Sequence, residues 1–133
     1  MTEGGPHWVA LESSPAMLTS FAHKIGANKE YGFSDCFGLD PELLEFCPKP
    51  VLGFVFLYPC QELKSKPSDA EPKPERQPVP EKAWFMKQLV GNACGSIAVL
   101  HNLMNNRDSV SVEEGSFLDK FYAASKTMTT LQR

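Results

Sequence analysis

The spacing of apolar positions changes several times along this 133-residue chain, and each change marks a predicted element. Residues 51–58 (Val-Leu-Gly-Phe-Val-Phe-Leu-Tyr) form a continuous apolar run, the pattern of a strand buried on both faces. Such a strand needs cover on both sides, which predicts an α/β organisation with a central sheet between helices. Residues 8–11 and 31–37 read as shorter strands, the second alternating large and small side chains. Helical spacing follows Ser13 and Ser14, either of which can cap, with Pro15 at the first helical position. Met17, Leu18, Phe21 and Ile25 then share a face, and Gly26 is the stop. A second start signal is Asp40-Pro41-Glu42, with Leu43, Leu44 and Phe46 on the buried side, ended by Cys47-Pro48-Lys49-Pro50. Phe117, Leu118, Phe121 and Tyr122 predict a last amphipathic helix, after which residues 127–133 carry no recognisable pattern.

The longest helical pattern begins after Gly91-Asn92. Ile97, Leu100 and Met104 lie on one stripe, with Ala98, Val99 and Leu103 filling much of the remainder. A helix apolar almost all round belongs in a core. Asn92 is the expected N-cap, and Asn105-Asn106 a polar stop. This places Cys94 in the first turn, where unpaired N–H groups and the positive end of the dipole favour a thiolate. Gln88 precedes the helix and can turn its amide toward that thiol. With the Cys94 N–H it would make a pair of donors suited to the oxyanion of an acyl transfer. On spacing alone, a single cysteine on an apolar helix is more often a small buried hydrophobe.

Composition narrows the function classes. Hydrophobic residues make up 42% of the chain, enough for one small globular domain. A net charge of −3 gives no basic footprint for nucleic acid or an anionic membrane. No apolar run reaches the length of a membrane span, and the first residues lack a secretory pattern. Residues 61–82 carry Pro67, Pro72, Pro74, Pro78 and Pro80 among charged residues and predict a flexible, solvated loop. The cysteines, Cys36, Cys47, Cys60 and Cys94, form no Cys-x-x-Cys motif, and His7, His23 and His101 complete no zinc pattern. We therefore expect no metal, no cofactor and reduced thiols, as in the cytoplasm or nucleus. Cys36 and Cys47 read as structural, with no cation beside them to lower either pKa. Cys94 has no resolving cysteine near it in sequence.

A nucleophilic cysteine needs a base. His101 is one candidate, but on the same helix it lies about 10 Å from Cys94 along the axis, far beyond hydrogen-bond reach. It reads instead as a packing residue, and His23 as a partly exposed helical one.

The segment FMKQLVGNACGSIAVLHNLMNN resembles the nucleophile segment of the ubiquitin C-terminal hydrolases, a family of thiol proteases. HWVALESSPAMLTSFAHKIG, YGFSDCFGLDPELLEFCPKPVLGFVFLYP and EEGSFLDKFYAASKTMT follow the family's order and spacing. The resemblance implies an α+β papain-like fold whose central β-sheet is flanked by helices on both sides and is incomplete in this chain. It implies Cys94 as nucleophile, Gln88 as oxyanion donor, and ubiquitin or a ubiquitin-like modifier as partner. The implied reaction is removal of small adducts from the C-terminal glycine of ubiquitin. Trp8, Leu11 and Glu12 become candidates for partner contact, with Trp8 equally readable as a core anchor. Ala10 stands where family members usually have Pro. In the family the catalytic His and its Asp come later in sequence, so residues 1–133 correspond to the N-terminal part of a single domain. The alternatives are a chain completed by a C-terminal half, a truncated isoform, and a relative that binds ubiquitin without turnover.

Overall fold

The computed structural model describes residues 6–59, 80, 82–129 and 132–133. Four helices organise them: α1 (Pro15–Ile25), α2 (Pro41–Leu44), α3 (Cys94–Asn105) and α4 (Phe117–Ser125). Two starts carry side-chain caps, whereas Asp40, the expected cap of α2, makes no side-chain bond to its first turn. Ser14 caps α1 by accepting from the Met17 N–H at 3.4 Å, with Pro15 in the first turn. Ser116 caps α4 by accepting from the Asp119 N–H at 3.2 Å. Gly26 ends α1 in the left-handed region at φ 113°, where a Cβ would also collide with the Ser116 side chain.

The core lies where α3 packs on α1, and Leu118 of α4 joins it. Val99 and Leu118 are fully enclosed, and Leu100, Leu103 and Met104 line the same cluster with Leu18, Ala22 and Trp84. Fully burying one such aliphatic side chain stabilises by about 1.5–3 kcal/mol. Between α3 and α4 the chain turns through buried Val110 and pairs once with the end of α1. There Asn28 N–H donates to Ser111 O at 3.0 Å, and Glu113 N–H donates to Gly26 O at 2.9 Å.

The central sheet expected from residues 51–58 is not formed among the described residues, which contain two isolated bridges, His7–Gly91 and Ala27–Val112. Residues 8–11 and 31–37 likewise form no ladder. Within residues 51–58, Gly53 lies against the Asn102 side chain of α3 and Leu52 packs partly on the core cluster. Phe54, Phe56, Leu57 and Tyr58 remain exposed, Phe56 at 81%. A strand satisfies its backbone only through a neighbouring strand, and none of the described segments forms a bridge with this one.

Three helical expectations also change in detail. Met17 and Phe117 point outward on α1 and α4, with Phe117 stacking on Phe121 at 5.6 Å. Phe46 lies beyond the end of α2 at Leu44 and is exposed. The tail is not patternless either. Arg133 donates to Ser125 O at 3.0 Å and Phe85 O at 3.1 Å, and its guanidinium lies 5.3 Å from the Trp84 ring. Cys60 and most of the proline-rich stretch over 61–82 lie outside the described residues.

Candidate active site

Cys94 is the first residue of α3 and is exposed, while the body of the helix behind it is buried. The helix begins differently from the sequence expectation. Asn92 takes a left-handed conformation (φ 61°), and the N-cap is Ala93, with no side chain bonding to the first turn. Asparagine tolerates that conformation better than other non-glycine residues, so Gly91-Asn92 makes the turn instead of capping it. The first intrahelical bond runs from Ile97 N–H to Ala93 O at 2.9 Å. The N–H groups of Cys94, Gly95 and Ser96 precede it and have no intrahelical acceptor.

Two separate structures hold this helix start. The first is residues 84–91, pinned along α3 by side chains acting as a substitute strand. Asn105 accepts from the Trp84 N–H at 2.8 Å and donates to the Trp84 carbonyl at 2.9 Å. His101 Nε2 accepts from the Met86 N–H at 3.2 Å, and its ring stacks on Phe85 at 4.8 Å. Burial lowers the His101 pKa from its ordinary value, partly offset by the Met86 carbonyl, which lies 3.3 Å from the same nitrogen and favours a proton there. His101 is therefore a packing and pinning residue. Sequence reasoning gave Asn105 only as a polar stop and missed its hold on Trp84, 21 positions away.

The second is the N-terminal strap. Gly91 N–H donates to Pro6 O at 3.0 Å, and Trp8 N–H donates to Gly91 O at 2.9 Å. A Cβ at Gly91 would collide with the His7 ring, and one at Gly95 would come within 3.2 Å of the Leu11 Cβ. Glycines thus flank Cys94 because the strap passes over both.

Gln88 lies on the pinned segment, exposed, and its amide donates to the Val90 carbonyl at 2.9 Å. No hydrogen bond joins it to Cys94 among the described residues. Trp8 is 52% exposed, so it does not anchor the core. Glu12 is exposed, whereas Leu11 packs partly against the core cluster. His23 Nε2 donates to the Tyr31 carbonyl, 2.7 Å away.

A cavity of about 510 Å³ opens elsewhere, between α1, α3 and the two extended stretches. Tyr31, Cys36, Cys47, Leu52, Phe54 and Asn102 line it, and Cys94 does not. Among the described residues no group of three His, Cys, Asp or Glu is placed to hold a metal, and no helix is long and apolar enough to cross a membrane.

An exposed cysteine opening a buried helix, with a glutamine on the segment leading to it, is an arrangement found in thiol hydrolases. The family model described as ubiquitin carboxyl-terminal hydrolase, family 1, matches residues 8–133, and the chain belongs to that family. Ubiquitin carboxyl-terminal hydrolase 3 of Arabidopsis thaliana is 40% identical over 128 residues, covering 95% of this chain and 55% of the relative. A ubiquitin carboxyl-terminal hydrolase of Drosophila melanogaster is 36% identical over 119 residues, covering 85% and 52%. Isozyme L1 of Rattus norvegicus is 32% identical over 125 residues, covering 92% and 56%. The chain spans about half the length of the curated relatives it matches.

Proposed function

We propose that residues 1–133 are the nucleophile-bearing, N-terminal part of one ubiquitin C-terminal hydrolase domain, acting on small adducts at the C-terminal glycine of ubiquitin. The observation that carries this reading is the exposed Cys94 at the uncapped start of a buried helix. Its sulfur attacks the glycine carbonyl, the bond to the adduct breaks, and water then hydrolyses the thioester. The developing oxyanion takes its hydrogen bonds from the Cys94 N–H and the Gln88 amide, which must leave Val90 O to reach it. The His base and its Asp come from a complementary C-terminal half, which also completes the central sheet. The exposed Phe54, Phe56 and Leu57 support that completion, since a contiguous apolar strip of this kind marks a covered surface.

A ubiquitin carrying a C-terminal electrophile tests the proposal. We expect Cys94 to be labelled when the complementary half is supplied, and Cys94→Ala to abolish labelling. In that complete enzyme Gln88→Ala should lower turnover by roughly a hundredfold and leave binding intact. An unchanged rate removes Gln88 from the mechanism. The bond from Gln88 to Val90 favours a second reading, a relative that holds ubiquitin without turnover. Saturable ubiquitin binding by the completed domain with no labelling would establish it.

A further inference from the structure

Away from the Cys94 region, the chain between Cys36 and Cys47 folds back on itself. Gly38 packs so closely on α2 that a Cβ there would come within 2.6 Å of Leu43. Past α2, Phe46 N–H and Cys47 N–H donate to Leu43 O and Leu44 O, both at 3.2 Å, so the turn tightens up to Cys47. Both residues line the same cavity. Cys36 is exposed, and its thiol donates to Gly38 O at 3.3 Å, whereas Cys47 is 6% exposed.

We propose that Cys36 and Cys47 are a peroxide-responsive thiol pair, Cys36 being oxidised first and Cys47 resolving it to a reversible disulfide. Nothing in the proposed hydrolase reaction uses either sulfur, so the inference stands independently of it. The Cys36 sulfur attacks a peroxide oxygen and the O–O bond breaks. The leaving hydroxide takes the thiol proton, giving water and a Cys36 sulfenic acid. The Cys47 sulfur then attacks the Cys36 sulfur. The S–O bond breaks, the S–S bond forms, and hydroxide leaves with the Cys47 proton as a second water. Two thiols lose two electrons and one peroxide gains them.

Accessibility sets the order. Peroxide in solution meets Cys36 directly, while burial, and next the contact with the Cys36 thiol, raise the Cys47 pKa and keep that thiol protonated. Lys49 acts in the opposite direction, so the expectation of no cation near this pair is corrected.

The test uses the full chain carrying Cys60→Ser and Cys94→Ser, which leaves Cys36 and Cys47 as the only thiols. Stoichiometric hydrogen peroxide should remove both free thiols and lower the mass by two hydrogens. Cleavage after Glu42 and Glu45 should then release two peptides joined by a Cys36–Cys47 link that dithiothreitol opens. Adding Cys47→Ser should instead leave a Cys36 sulfenic acid that dimedone traps. The link should form at least about tenfold faster in the folded chain than in urea, because the fold holds the sulfurs together. Equal rates in the two states, Cys36 sulfinic acid beside a reduced Cys47, or two thiols still titrating after peroxide would each overturn the proposal.

Discussion

Residues 94–105 and residues 51–58 are the two most apolar stretches described, yet the first is buried and the second lies largely in solvent. The helix carries its own backbone hydrogen bonds, so it needs only side-chain neighbours, which α1 and α4 supply. The extended stretch needs a backbone partner as well, and α3 offers it a flank of side chains but no ladder. Apolar sequence alone therefore does not decide burial. What decides it is whether the other residues present complete the kind of element that the sequence encodes.

The contrast can be broken most sharply at two side chains. Leu118→Ala should cost about 2–5 kcal/mol, because Leu118 of α4 is fully enclosed in the core cluster. Phe56→Ala should change stability by less than about 0.5 kcal/mol, because four-fifths of that ring is already in solvent. Urea unfolding of the two variants measures both, and equal losses would mean that residues 51–58 are packed after all.

A smaller effect probes how residues 84–91 are held without a sheet. The Trp84 indole N–H donates to Ser125 Oγ at 3.2 Å in a buried setting. Trp84→Phe should cost about 1–3 kcal/mol, since it removes the donor and leaves the enclosed Ser125 hydroxyl without this partner. Thermal melting reads the loss, and Ser125→Ala in the same background should recover part of it.

The smallest expected effect is a pH dependence at His101. Its pKa is lowered by burial, so the folded chain holds it neutral where an unfolded chain would protonate it. A base with a depressed folded pKa contributes stability above its ordinary value, near pH 6.5. That contribution falls as the pH drops below 6.5 and stops changing once the folded pKa is passed. Protonation also removes the acceptor for the Met86 N–H, so amide exchange at Met86 should quicken over the same range. His101→Gln should flatten this part of the profile, and an unaltered slope would assign it to another group.

Much of the candidate site was legible because helix starts are local. Ser14-Pro15, Ser116 and the apolar stripe through Ile97, Leu100 and Met104 each act within one turn, and each element lies where the pattern puts it. The start of α3 was misread in one respect. Asn92 suits both a cap and a left-handed turn, and the strap bonded to Gly91 accompanies the second choice. The hold of Asn105 on Trp84 was not legible, since residues 21 positions apart meet only after the chain has folded.

Sequence by itself determined the helices, the exposed thiol's place at the head of α3 and the family to which the chain belongs, because each depends on short-range pattern or on residue order. Tertiary structure alone decided that Gln88 bonds to Val90, that the strap crosses both glycines beside Cys94, and that Cys36 and Cys47 share one cavity wall. It also decided that an apolar run with the composition of a buried strand stays uncovered. Those outcomes turn on which distant segments are at hand to supply a hydrogen bond or a packing surface, and local pattern carries no record of that.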